Sequence, residues 1–403
     1  MAAPYADVTP FRLRSLLLSI YIPTLLFSVG QGLVIPVIPL FAKDLGAGLG
    51  LVGLVVTMRG IGSMAGDVPS GVLVARLGGR TTMGIGTGAT AVVALAMGFA
   101  PSVILLAVLM LLAGLAFAQW QVARLAFVTD TVPGHYRGRA LALVGGVNRV
   151  GVFIGPALGG FLGTWLGLEA VFFAQAFVCV AALVIEVAFV HHNPSRRRDA
   201  AGIHPGFNLL TVLSENRRSF LTAGLVAVSL VFVRSGRQLL IPLWGDHIGM
   251  DVAAIGLVFS IGSAIDMTLF YPVGVVMDRF GRRFTIVPSI LLLGGSLALL
   301  PLTTGFTSMM LLGILSGFGN GLGSGAVMTL GSDLAPRGGS GEFLGVWRLI
   351  GDAGQVTAPL AVGAIAQLFT LGAAAVATGG LGLLGAFVMA FLVSETFRRD
   401  SPG

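Results

Sequence analysis

Ten ionisable side chains fall inside long apolar stretches: Arg59, Arg124, Arg149, Arg234, Arg237 and Arg348, with Asp67, Glu186, Asp266 and Asp352. A charge at the centre of a bilayer helix costs about 2.5–3.5 kcal/mol even on the lenient insertion scale, so each needs a water-filled cleft or a partner of opposite sign. The chemistry open to such a set is proton exchange. Burial favours the neutral carboxyl and a neighbouring guanidinium favours the carboxylate, so a shared carboxylate is poised between the two. Other chemistries fit less well. His135, His191, His192, His204 and His247 lie in loops or at segment ends and form no catalytic constellation. The lone Cys179 sits in an apolar run as a helix-packing residue, which excludes an internal disulfide and a cysteine-built zinc site. No metal site, cofactor or enzyme activity is expected.

The elements that carry these charges follow from composition. The 403 residues are 55% hydrophobic and 10% charged, against about 25% charged in a soluble domain. Mean hydropathy is +0.95, so most of the chain calls for a bilayer. Apolar segments fall near 15–41, 50–75, 82–99, 102–129, 139–165 and 168–190, then near 220–244, 251–277, 285–303, 307–332, 342–369 and 371–394. The first run is too long for the apolar core of a cleaved signal, so it counts as the first span. The division predicted is a six-helix bundle over 1–190, a polar linker over 191–219 and a second bundle over 220–403.

The halves superimpose at a constant offset of 203 residues. Pro39 matches Pro242, Pro69 matches Pro272, Arg76, Gly78 and Arg80 match Arg279, Gly281 and Arg283, and Pro156 matches Pro359. Because each half has an even number of spans, the repeat is parallel. Seventeen arginines fall in the tails and in loops on one side, against Lys43 alone on the other. The positive-inside rule then places both termini in the cytoplasm. It also accounts for the pI near 10.6 without nucleic acid. The arginine-for-lysine bias points to a GC-rich bacterial genome, and hence to a bacterial inner membrane.

The stretch Gly274-Val-Val-Met-Asp278-Arg279-Phe-Gly281-Arg282-Arg283 resembles the G-x-x-x-D-R-x-G-R-R signature of the major facilitator superfamily. Its first-half counterpart runs from Gly71 through Arg76 and Gly78 to Arg80, with Ala75 where the acid is expected. Gly151, Gly155, Pro156, Gly159 and Gly160 resemble the G-x-x-x-G-P-x-x-G-G signature of that superfamily's twelve-helix drug:proton antiporter branch. Two features depart from that branch: Met110 stands where an arginine is frequent, and segment 1 offers Gln31 rather than an acid.

The resemblance implies an all-α membrane protein of twelve helices in two pseudo-symmetric bundles, with segment 2 against 11 and segment 5 against 8. Depths estimated at about 1.5 Å per residue then pair Arg59 with Asp352, Asp67 with Arg348, and Arg149 with Asp266. Asp266 is the first expectation for a proton-coupling acid, followed by Asp352 and Asp67. Gln31, Arg59, Arg124, Asn148, Arg149, Arg234, Arg237, Gln238, Asn320, Arg348 and Gln355 are expected at the substrate cavity, with Trp120, Gln121 and Trp347 as further candidates. Glu186 is expected to reach the interface, and Asp130 and Asp333 to pair with the Arg76 and Arg279 loops. The implied function is monomeric secondary transport of a small molecule by alternating access, in the form of proton-coupled efflux. No P-loop motif is present to make ATP the direct energy source. Uptake or exchange of an organic anion or metabolite stays open, as does lipid flipping.

Overall fold

The computed structural model describes residues 16–189, 209–336, 340–393 and 395. Arg12, Arg14, Arg196–Arg198, Arg337, Arg398 and Arg399, and most of the predicted linker, lie outside the described residues. In hydrocarbon every backbone polar group must be satisfied within the chain, which leaves helices as the answer to long apolar runs. The structure consists of them. Helix α1 is Leu17–Val34; Pro36, lacking an N–H, interrupts it before it resumes as Val37–Asp44. The run Leu49–Gly98 is divided at Gly78, whose φ of 82° is not helical, into α2 (49–77) and α3 (79–98). Then come α4 (Val103–Thr131), α5 (Gly134–Leu166) and α6 (Leu168–Phe189).

The second half contains α7 (Arg217–His247), α8 (Val252–Phe280), α9 (Arg283–Ala298), α10 (Phe306–Leu334), α11 (Ser340–Leu368) and α12 (Leu371–Phe391). Ten described helices are long and apolar enough to cross a membrane. The division at Gly78 and the 16-residue α9 bring the crossings to twelve. Exposed Ile104, Phe177, Leu311 and Phe391 belong to an outer surface suited to lipid.

Two turns on the basic face repeat each other. Gly78 and Gly281, related by the 203-residue offset, both take positive φ, 82° and 102°, in a region that excludes a Cβ. Each reverses the chain between two helices, α2 to α3 and α8 to α9.

Helices α1–α6 pack on one another, as do α7–α12, and the two sets meet where α2 touches α11 and α5 touches α8. Glycine makes both contacts close. A Cβ on Gly53 would lie 2.9 Å from the Gly363 Cα, and one on Gly160 3.0 Å from the Ala253 Cα. These contacts, with Ala157 N–H donating to Ser260 Oγ and Ala253 N–H to Thr164 Oγ1, lie in the half remote from the basic loops. Lys43 of the first half and Asp246 of the second also pair there. Towards the basic loops the bundles part. Among the described residues, a Cβ on Gly71, Gly138, Gly145, Gly274 or Gly345 would meet nothing within 4 Å. Among the described residues, the cleft opens on the basic face.

Candidate functional site: two charge clusters between the bundles

Where the closed half gives way to the cleft, each contact line carries an ion pair. On the first line, Arg348 Nη2 of α11 lies 2.9 Å from Asp67 Oδ2 of α2, and its Nε lies 3.8 Å from Asp352 Oδ2 one turn further along α11. Two carboxylates thus share one guanidinium, itself 61% exposed to the cleft. The other Asp67 oxygen, Oδ1, is buried with no hydrogen-bond donor among the described residues.

On the second line the balance is reversed. Arg149 Nη1 of α5 lies 2.7 Å from Asp266 Oδ2 of α8. Arg149 Nη2 donates to Ser324 Oγ at 3.1 Å, and that hydroxyl lies 3.2 Å from Asp266 Oδ1. Both carboxylate oxygens are occupied. Arg234 and Arg237 of α7 join from the side: Arg234 lies within electrostatic reach of Asp266, Arg149 and Arg237. Arg234 Nη2 donates to the Asn320 carbonyl at 3.0 Å and Arg237 Nη1 to the Ser316 carbonyl at 3.4 Å. The break in α10 builds this corner. Gly325 in the left-handed region ends one helical piece and starts the next, which sets Ser324 beside Arg149. Gly323 leaves room for Arg234, since a Cβ there would lie 2.6 Å from its Nη2.

The expected pairing of Arg59 with Asp352 does not form. Arg59 donates to Gln31 in its own bundle and lies 5.3 Å from the Phe117 ring. Its neighbour Gly60 meets Val356, one turn beyond Asp352, so the two charges lie at different depths. Arg124 is held by Gln121 at 3.1 Å and by the face of Trp120 at 4.2 Å. Asn148 accepts from Ser28 at 2.7 Å. Gln238 and Gln355 are exposed. Trp120 and Trp347 are buried in the cores of their bundles, the latter donating to the Val327 carbonyl.

Glu186 also differs from expectation. It is 2% exposed and accepts from Thr87 Oγ1 at 2.9 Å, so it turns into the bundle instead of reaching the interface. Gly151 and Gly155 press on Ser28 and Gly32 of α1, so that glycine face serves packing within the first bundle. Gly160 meets α8 instead, and Pro156 touches both, its ring facing Gly32 of α1 and its carbonyl Gly256 of α8.

At the basic end, Asp333 pairs with the Arg279 loop through Arg282, at 2.9 Å, and Arg282 also pairs with Asp278 at 3.1 Å. The Asp333 carboxylate hydrogen-bonded to it holds the guanidinium pKa above its ordinary value. Glu395 accepts from the backbone N–H groups of Arg282 and Arg283, while the Arg283 side chain donates to the Val393 carbonyl. Arg279 lies over Phe280. In the first half Arg80 donates to the Val187 carbonyl at 2.8 Å.

A twelve-crossing helical protein with a cleft between two pseudo-symmetric bundles, lined by paired charges, is a membrane carrier. The chain belongs to the Major Facilitator Superfamily, whose sequence profile matches residues 20–265 and 226–403. It is 27% identical over 385 residues to a multi-drug resistance efflux pump PmrA homolog of Lactococcus lactis, covering 87% of this chain and 89% of that one. It is 26% identical over 298 residues to the quinolone resistance protein NorA of Staphylococcus aureus, covering 73% and 75%. Among solved structures it is similar to a bacterial homolog of the human lysosomal transporter Spinster in an inward-facing, unoccupied conformation. The TM-score is 0.77 at 16% identity, covering 95% and 97%.

Proposed function

We propose that the protein is a proton-coupled efflux antiporter for small organic molecules. It would work as a monomer in a bacterial plasma membrane, with both termini and the basic face in the cytoplasm. On that reading the cleft described above is open to the cytoplasm, ready to load. Two relatives named as resistance proteins, one of them an efflux pump, support the direction.

The observation that carries proton coupling is the Asp67–Arg348–Asp352 cluster. One guanidinium between two carboxylates leaves one negative charge in excess, and a proton is the smallest group that removes it. The free oxygen of Asp67 offers the place. Because Asp67 is on α2 and Arg348 on α11, protonation there weakens a contact between the bundles and couples proton binding to their movement. Asp266, the first expectation from sequence, has both oxygens engaged, so Asp67 with Asp352 becomes the preferred coupling site.

The test uses inside-out vesicles acidified internally and a pH-sensitive dye, with organic anions, organic cations and neutral drugs added in turn. Proton release on adding a compound, lost in the Asp67→Asn/Asp352→Asn variant, is the expected result. Undiminished release in that variant would refute the assignment.

A further inference from the structure

The arginine side of the cleft says what kind of molecule is carried, on the understanding that the protein is a transporter. Around Asp266 stand three guanidinium groups: Arg149 at 2.7 Å, with Arg234 and Arg237 on α7. One carboxylate cannot neutralise three such charges, so the corner keeps two positive charges in excess. Arg237 is 8% exposed, and its Nε and that of Arg234 are buried without acceptors among the described residues. Guanidinium groups held in a site of low dielectric without counter-charge are costly. The carbonyls of Asn320 and Ser316 compensate them with dipoles alone. The chemical complement of such a corner is an oxyanion, which a guanidinium binds through paired N–H donors.

Two aromatic rings adjoin it. Phe270 lies 4.4 Å from the Arg149 guanidinium carbon and Phe259 5.8 Å from that of Arg237. Phe259 is buried, at 4%, whereas Phe270 is 38% exposed and offers an apolar surface to the remainder of an organic molecule. A lipophilic cation would meet the opposite conditions, three like charges and an acid already taken.

We infer that the substrate is an organic anion whose carboxylate or sulfonate docks among Arg149, Arg234 and Arg237, taking the place that Asp266 holds on Arg149. Asp266 is then a built-in competitor that keeps Arg149 paired until the substrate arrives. Its charged surroundings are Arg149 from α5 and Arg234 and Arg237 from α7.

Two xanthene dyes of similar skeleton and opposite charge, fluorescein and pyronin Y, test this with the full-length protein. Flux into proteoliposomes and equilibrium binding by fluorescence anisotropy are measured side by side. Fluorescein should move and bind, and pyronin Y should do neither. Arg237→Gln should weaken fluorescein binding by about tenfold or more, as loss of a buried charged partner does. Asp266→Asn should tighten it by about fivefold, because the competitor is gone, and misfolding cannot imitate a gain. Fluorescein binding without flux would support the anion site while removing the transporter reading. Flux of pyronin Y in place of fluorescein would keep the transporter and overturn the anion assignment. It would equally be overturned if neither dye binds, or if Asp266→Asn weakens fluorescein binding.

Discussion

The α2–α11 and α5–α8 contacts occupy equivalent places in the repeat, yet their charges run opposite ways. Arg149 on α5 and Asp352 on α11 are related by the 203-residue offset, and so are Phe270 on α8 and Asp67 on α2. One line ends with two acids on one arginine, the other with three arginines around one acid. The same inversion recurs at the closed end, where Lys43 and Asp246 are themselves repeat partners and pair with each other. A duplicated scaffold thus supplies two matching contact lines, and reversal of charge at matched positions makes them chemically unlike. On the reading proposed above, one line serves a proton and the other an anion.

The comparison can be broken first at the glycines, where the two lines should behave alike. Gly53→Val and Gly160→Val each force a side chain into the backbone of the opposite bundle. Both should reduce flux by about tenfold or more at normal expression, in line with severe overpacking. Loss in one variant but not the other would show that the contact lines are not equivalent. The charges should then separate them. Asp67→Asn should leave fluorescein affinity within about twofold of the parent, whereas Asp266→Asn raises it, since only the second removes a competitor from the arginine corner.

Smaller effects are expected at the turns. Gly281→Ala and Gly78→Ala each force a side chain into a glycine conformation costing about 1–3 kcal/mol, read as a fall in the melting temperature of purified protein. Gly281→Ala should be the worse, because its Cβ would also lie 2.7 Å from the Glu395 carboxyl carbon. Smallest of all is Lys43→Gln. The Lys43–Asp246 pair is 51% and 36% exposed, and pairs of this kind contribute about 0–1 kcal/mol. Cysteine labelling from the far side should rise by no more than about fivefold, and exchanging the residues as Lys43→Asp/Asp246→Lys should restore it.

Much of this architecture is legible in the sequence. Twelve apolar runs, the 203-residue offset and the glycine-arginine turns fix the crossings and the pseudo-symmetry, because bilayer thickness and backbone hydrogen bonding leave few alternatives. Depth along the helices was enough to bring Asp67 to Arg348 and Arg149 to Asp266. It failed for Arg59, which lies one turn from the level of Asp352 and finds Gln31 in its own bundle. Rotation about a helix axis was harder still. Glu186 is at the depth of the interface but turns inward to Thr87, and nothing in linear spacing shows that. Ser324 was missed because the break at Gly325 is what aims it at Arg149. The offset aligns Lys43 with Asp246, but a repeat shows itself through like residues, and this pair joins opposite ones.

The division of tasks between the clusters is tested most directly by fluorescein counterflow in proteoliposomes carrying Asp67→Asn/Asp352→Asn, measured beside proton-driven accumulation. Counterflow needs the anion site and the moving bundles but no net proton movement. Counterflow within about twofold of the parent protein and no accumulation driven by protons are the expected results. Loss of both together, or retention of proton-driven accumulation, would contradict that division.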